Sequence, residues 1–272
     1  MSRTKRWPLI GLLILAGSGI VYPLFWIVLS AFRSGNALYS ADFHLSELTM
    51  DHFYRLFTAT EFPLWFLNTL ELAGLHMVAG LILTALTAFS FSRLTFKGKG
   101  LTQSLVLILQ IFPTFLSMLA LFILLDRWNL LNSYFGLILV YLAGQLPFNT
   151  WMVKGYMDAL PRSLDEAARI DGASDYQVFT RVILPLSTPV LGVVALADFT
   201  LPWFDFVFQS LLLHGDRKTL AVGVLEWLHS PSGQQFPLFA AACLLIALPV
   251  MLMFLIIQKF LNPVMMVERF KT

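Results

Sequence analysis

Charge is scarce in this 272-residue chain: 18 Lys and Arg and 16 Asp and Glu make up 12% of it, against 58% apolar residues. A soluble domain carries about 25% charged and about 45–50% apolar residues, so these charges are too few to coat a water-facing surface of this size. A net charge of +2 leaves no electrostatic footprint for DNA or RNA, and no nucleic acid is expected as a partner. Cysteine is nearly absent. Cys243 stands alone, which excludes an internal disulfide framework and any zinc site built on several thiolates. His44, His52, His214 and His229 show no metal-ligand spacing, and no nucleophile–base–acid set is present. The one Gly-Lys pair, Gly98-Lys99, is followed by Gly100, so the G-x-x-x-x-G-K-[ST] phosphate loop is missing. The chain is therefore expected to be no enzyme and to hold no metal or cofactor of its own. Low-complexity tracts are missing, and so is a repeat between the halves, which argues against a carrier built on an inverted repeat.

What the chain has in abundance is uninterrupted apolar sequence. Crossing roughly 30 Å of hydrocarbon takes about 20 apolar residues in a helix. The gaps between charges supply six such stretches, at 8–32, 63–92, 101–125, 132–153, 187–212 and 238–258; the fifth is interrupted by Asp198 and Asp205. Leu, Ile and Phe dominate, and no period-2 alternation recurs, which favours helices over a membrane barrel. The expected fold is all-α, a polytopic membrane protein of six transmembrane helices, kinked at Pro113, Pro147, Pro202 and Pro249. Met1–Phe32 reads as a retained first helix: 26 uncharged residues separate Arg6 from Arg33, more than the about 7–15 of a signal-peptide core. With the N-terminus inside, thirteen Lys and Arg fall on inner segments and only five (Arg33, Arg55, Arg127, Arg217 and Lys218) on outer ones. That bias places both termini in the cytoplasm. The chain divides into a first helix and outer loop (1–62), a membrane domain (63–258) and a C-terminal tail (259–272).

The longest inner loop, 154–185, reads KGYMDALPRSLDEAARIDGASDYQVFTRVILP. It has the punctuation of two short helices. Ser163 with Glu166 makes one capping box and Ser174 with Gln177 a second; Gly172 stands where a C-terminal glycine belongs. Leu164, Ala167, Ala168 and Asp171 share a face of the first helix, and Tyr176, Phe179, Thr180 and Ile183 a face of the second. A small-residue face admits close approach of another protein, and an aromatic stripe can root the loop against the membrane helices. A helix lying on lipid headgroups is rich in Lys and Arg on its polar face. This loop instead mixes Asp165, Glu166, Asp171 and Asp175 with Arg162, Arg169 and Arg181, a better match to a protein groove.

Glu166-Ala167-Ala168, three residues, Gly172, nine residues, then Val182-x-Leu184-Pro185 resembles the EAA loop of binding-protein-dependent ABC importer permeases, with Val182 in place of Ile. The surrounding stretch, from Trp151 to Leu196, resembles the sugar-importer branch, and FLNTLELA (66–73) is similar to the family's second-helix signature. QIFPTFLSMLALF (110–122) and TLAVGVLEWL (219–228) resemble the second permease subunit of the maltose/maltodextrin type. The resemblance implies a type I ABC importer permease in a bacterial cytoplasmic membrane, paired with a second permease subunit. It also implies two cytoplasmic ATP-binding subunits, which bind the ATP, and an extracytoplasmic sugar-binding protein. It further implies that Leu164, Glu166, Ala167, Ala168, Asp171 and Gly172 couple to the ATPase, and that the defined sugar site belongs mostly to the other permease. The tail Asn262–Thr272 departs from the family's Gly-rich tail.

Polar groups inside apolar spans are functional candidates. Asp198 and Asp205, seven apart, fall on nearly one helical face; Gln209 continues it, with Trp203, Phe204 and Phe206 alongside. Carboxylates and amides beside flat rings suit a hydrated sugar path. They suit equally well a pairing with the partner subunit or a cap on a kink at Pro202. Glu71 and His76 occupy different faces of the second span, and Tyr141, Gln145 and Asn149 recur every four residues on the fourth, to bridge helices or line a cavity.

Overall fold

A computed structural model describes residues 6–34, 48–111, 114–229 and 236–261. The tail beyond Leu261 and Pro113 lie outside the described residues. Among those described, helices dominate, and the one β pairing is an isolated bridge between Arg33 and Leu48. The helices are α1 (Arg6–Phe32), α2 (Asp51–Thr58), α3 (Phe62–Arg93), α4 (Lys99–Ile111), α5 (Met118–Arg127), α6 (Tyr134–Ala159) and α7 (Ser163–Ile170). They continue as α8 (Asp175–Leu186), α9 (Thr188–Phe204), α10 (Val207–Leu212), α11 (Leu220–His229) and α12 (Phe236–Leu261).

Four helices (α1, α3, α6 and α12) are long and apolar enough to cross a membrane by themselves. At about 1.5 Å per residue, the 32 residues of α3 reach well past the hydrocarbon core. The other two expected spans are broken. A single helix over 101–125 is replaced by α4, a 3₁₀ turn at Thr114–Ser117, and α5. The proline between them in sequence has no N–H and disfavours helical backbone at the residue before it. A single helix over 187–212 is replaced by α9 and α10. The sharp bend, 77°, lies between α8 and α9 at Ser187, where Pro185 and Pro189 crowd one turn. Pro147 and Pro249 sit inside helices that run on unbroken.

The chain forms two compact units. One comprises residues 1–66 and 223–249. There α2 turns His52 and Leu56 inward; His52 Nε2 meets the Arg33 carbonyl at 2.8 Å, and Phe32 lies 5.1 Å from Phe53, ring to ring. Gly223 is packed so closely under the Trp65 ring that no side chain fits there. The other unit comprises 67–222 and 250–272 and holds two apolar clusters. Leu72, Leu125, Leu137, Val140, Leu142 and Leu212 belong to the first. Ala85, Phe89, Val153, Met157, Ile183 and Val194 belong to the second. Along α3 and α6, the residues that separate the two clusters include His76, Gly80, Asn149 and Thr150, all buried. A polar layer thus lies between two dry ones.

Candidate functional site

The loop after α6 builds a compact two-helix unit. Helix α7 ends in a Schellman motif: the Gly172 N–H donates to the Arg169 carbonyl at 3.0 Å and the Ala173 N–H to the Ala168 carbonyl at 2.9 Å. Gly172 has φ +85°, a left-handed conformation that costs other residues roughly 1–2 kcal/mol. The Ser174–Gln177 capping box is complete, with Ser174 N to Gln177 Oε1 at 2.8 Å and Gln177 N to Ser174 Oγ at 3.4 Å. The Ser163–Glu166 box does not form. Arg162 is already helical and serves as the N-cap without a side-chain bond, so Ser163 lies inside the helix instead of ahead of it.

Asp165 is the one buried residue of α7. Its Oδ2 lies 2.5 Å from Arg93 Nε, at the last residue of α3, with both side chains under a tenth exposed. Arg93 also donates to the Leu160 carbonyl at 3.1 Å and to Ser92 Oγ at 3.2 Å, and Ser92 Oγ donates to Asp158 Oδ1 at 2.6 Å. The loop is therefore clamped to the end of α3 by a buried ion pair. Ala168 packs against the neighbouring apolar cluster. The remaining predicted coupling residues, Leu164, Glu166, Ala167, Asp171 and Gly172, face outward. Ile170, outside the predicted set, also faces outward and is 87% exposed. In α8, Phe179 and Ile183 are buried as the expected stripe requires, but Tyr176 is 74% exposed. A π-helical turn over Val178–Ile183 rotates the stripe and buries Val178 in its place.

The polar residues of the fifth expected span do not share a helical face. Helix α9 ends at Phe204, and Asp205 has extended backbone. The Asp205 carboxylate accepts the Val207, Phe208 and Gln209 N–H groups at 3.2–3.3 Å, capping α10. Its Oδ2 also accepts the Tyr141 hydroxyl at 2.7 Å. Gln209 is fully buried; its Nε2 donates to Tyr141 Oη at 2.9 Å and to the Pro202 carbonyl at 2.7 Å, and its Oε1 accepts from Thr219. Asp198 is also fully buried. Its Oδ1 accepts from Asn149 Nδ2 at 2.9 Å, while Oδ2 points at Gly80, where a methyl group would collide with it. The His76 Nδ1 lies 2.8 Å from the Asp198 carbonyl oxygen, and its ring meets Tyr141 edge-on at 5.2 Å between centroids. Asp205 is only partly buried, between exposed Phe204 and Phe206. Glu71 is exposed, and Gln145 Oε1 is buried without a hydrogen bond. Among the described residues no group of three or more His, Cys, Asp and Glu is placed to hold a metal.

Sequence reading alone missed the Arg93–Asp165 pair. It also missed Asn68 of the FLNTLELA stretch, whose Nδ2 donates to the Asp216 and Lys218 carbonyls at 2.7 Å each. Thr69 beside it accepts the Leu220 N–H at 2.9 Å. These two residues tie α3 to a segment about 150 positions away.

Residues 80–267 match the family described as the binding-protein-dependent transport system inner membrane component. A galactooligosaccharide transport system permease of Bacillus subtilis (strain 168) is 40% identical over 244 residues, covering 88% of this chain and 86% of the relative. A maltodextrin transport system permease of the same strain is 40% identical over 242 residues, covering 88% and 87%. The maltose/maltodextrin permease MalG of Escherichia coli (strain K12) is 34% identical over 270 residues, covering 92% and 90%. The crystal structure of a bacterial ABC transporter that imports the acidic polysaccharide alginate shares the fold, with a TM-score of 0.81 at 21% identity over 96% of this chain and 99% of that one. By family match and by these relatives, the chain belongs to the inner-membrane permease components of binding-protein-dependent transport systems, and is a transport subunit rather than an enzyme.

Proposed function

We propose that this chain forms half of the translocation pathway of an ATP-driven sugar importer, with a second permease subunit completing it and two ATP-binding subunits supplying the energy. The substrate is an oligosaccharide of the maltodextrin or galactooligosaccharide kind, delivered by an extracytoplasmic binding protein; relatives named for those sugars support this. Six membrane segments, with the α4–α5 and α9–α10 pairs each counted as one, leave both termini cytoplasmic in a bacterial cytoplasmic membrane. The Lys and Arg bias supports that orientation.

The observation that carries the reading is the α7–α8 unit. A glycine-capped helix is clamped at Arg93–Asp165 while Glu166, Ala167 and Ile170 stay exposed. A channel or an ion-coupled carrier has no use for such a rigid protrusion; a subunit that receives force from an ATPase does. Leu164, Glu166, Ala167, Ala168, Asp171 and Gly172 form the docking element in this reading. Asp205 lines the sugar path, partly exposed between Phe204 and Phe206, while buried Asp198 and Gln209 fix the helices around it. The experiment is reconstitution with the three partner components. Glu166→Lys and Gly172→Pro are expected to leave membrane insertion intact and to abolish ATP hydrolysis stimulated by the binding protein. Undiminished stimulation in both variants overturns the assignment.

A further inference from the structure

Helix α9 carries a proline, Pro202, two residues before its last residue. In an α-helix the N–H of residue 202 would bond the carbonyl of residue 198; proline has no N–H, so that carbonyl loses its partner. A buried carbonyl left bare in a membrane interior costs free energy and needs another donor. The donor is on another helix. His76 of α3, fully buried, places Nδ1 2.8 Å from the Asp198 carbonyl oxygen. A carbonyl only accepts, so Nδ1 carries the proton. One turn further on, the Pro202 carbonyl is taken by Gln209 Nε2 at 2.7 Å, and Asp205 caps the helix that follows. His76 also packs on the Tyr141 ring, whose hydroxyl donates to Asp205. One imidazole thus touches both the carbonyl that Pro202 leaves without its helical donor, inside α9 ahead of the α9–α10 break, and the ring of the tyrosine that bonds Asp205 at that break.

We propose that His76 is a positioning residue for transport: its Nδ1–H replaces the donor that Pro202 lacks, and so sets the break that aims Asp205 and α10. This rests on the reading of Asp205 as pathway-lining. The chemistry predicts a specific dependence. With proline at 202, His76 is required. With alanine at 202, the helix supplies its own N–H to the Asp198 carbonyl, and His76 becomes dispensable. Asparagine at 76 retains a donor at the same distance from Cβ, and leucine retains bulk without a donor.

The test uses the complete four-component complex in proteoliposomes, with maltotriose uptake as the probe. His76→Leu is expected to lower the maximal rate at least tenfold, leaving half-saturation by the binding protein unchanged. His76→Asn is expected to keep at least half of the rate. In a Pro202→Ala chain, His76→Leu is expected to cost less than a further twofold. A second measurement needs no sugar. Ser210→Cys on α10, in a Cys243→Ser chain, is expected to change its rate of reaction with a charged maleimide at least fivefold on His76→Leu and to recover on adding Pro202→Ala. An equal effect of His76→Leu with proline or alanine at 202, in uptake or in labelling, overturns the proposal, as does a harmless His76→Leu in the parent chain. If the parent complex does not move maltotriose, the assigned substrate fails, and the labelling series alone decides the role of His76.

Discussion

The buried pair Arg93–Asp165 gives the sharpest stability test of the two-helix loop. The perturbation is Asp165→Asn. It keeps the shape and removes the charge facing a guanidinium whose side chain is 2% exposed. Breaking a buried pair by deleting one partner costs about 3–5 kcal/mol, because the survivor remains buried and uncompensated. Arg93 keeps its bonds to the Leu160 carbonyl and Ser92 Oγ, so the lower end, about 3 kcal/mol, applies. At about 1.4 kcal/mol per tenfold, the local opening of α7 becomes on the order of 100 times more populated. The assay is limited trypsin cleavage in lipid nanodiscs at Arg162 and Arg169, both exposed and flanking the clamp. Cleavage tracks the open population when reclosing is fast, so its rate should rise about 100-fold. A rise of less than threefold refutes the reasoning. Arg93→Met with Asp165→Leu supplies the control, since replacing both ions with apolar groups is often neutral or stabilising. That double variant should resist trypsin like the parent. Arg93→Lys should behave like Asp165→Asn, because one ammonium cannot span Asp165 and the Leu160 carbonyl as the planar fork does.

Gly172→Ala should cost roughly 1–2 kcal/mol through its positive φ alone, because nothing lies within 4 Å of the added methyl; hydrogen exchange at the Ala173 amide reads it, and an unchanged rate counts against the Schellman assignment. Gly80→Ala should drive the Asp198 carboxylate away from Asn149 and lower the yield of folded complex, while Asp198→Ser in the same chain should restore it; equal damage in both backgrounds would show that the close contact is not the cause. Ile170→Glu should leave the thermal midpoint of the chain unchanged, since the side chain is 87% exposed, and should uncouple ATP hydrolysis from sugar. A reporter fused after Thr272 should read as cytoplasmic.

The sequence revealed the helices wherever burial follows hydropathy. Gaps between charges locate α1, α3 and α12 to within three residues at each end and the start of α6 to within two, whereas α6 runs six residues past the expected 153, because Lys154 and Asp158 end the apolar run and not the helix. The breaks were harder to read. Hydropathy is blind to backbone, so it reads 101–125 and 187–212 each as one helix, kinked at Pro113 and Pro202, where the structure has the separate helices α4 and α5, and α9 and α10. Asp198 and Asp205 share a face only on a helix that continues past Phe204, and the helix ends there. The loop shows the same limit. Gly172 and the Ser174–Gln177 box are local, and local chemistry reads directly from spacing. Asp165 was one of four acids on a mixed face, and nothing local marked it as the buried one. Its partner lies 72 positions upstream, at the last residue of an apolar helix. A proline in a span did carry a usable signal: subtracting four from 202 names Asp198 as the carbonyl in need of a donor, and His76 is one of the few donors on a neighbouring span.

The placement of polar groups between two apolar clusters bears on how such a subunit can change shape. Close-packed apolar layers resist small displacements and repack as units. A layer of hydrogen bonds between membrane helices is different: each bond contributes only about 0.6 kcal/mol on average, and donors can exchange acceptors. The Tyr141 hydroxyl and the Gln209 amide already divide their bonds between Asp205, the Pro202 carbonyl and Thr219. Relative movement of α3, α6 and α9 should therefore concentrate in this layer, with the two apolar clusters moving as blocks. Tyr141→Phe distinguishes the possibilities. It removes one hydroxyl with its two hydrogen bonds and almost no volume, so at about 0.6 kcal/mol per bond a purely structural role predicts a stability change of about 1.2 kcal/mol and normal transport. A role in the moving layer predicts the same small stability change with a several-fold fall in the maximal uptake rate. A fall in rate that scales with loss of folded protein would place the movement elsewhere.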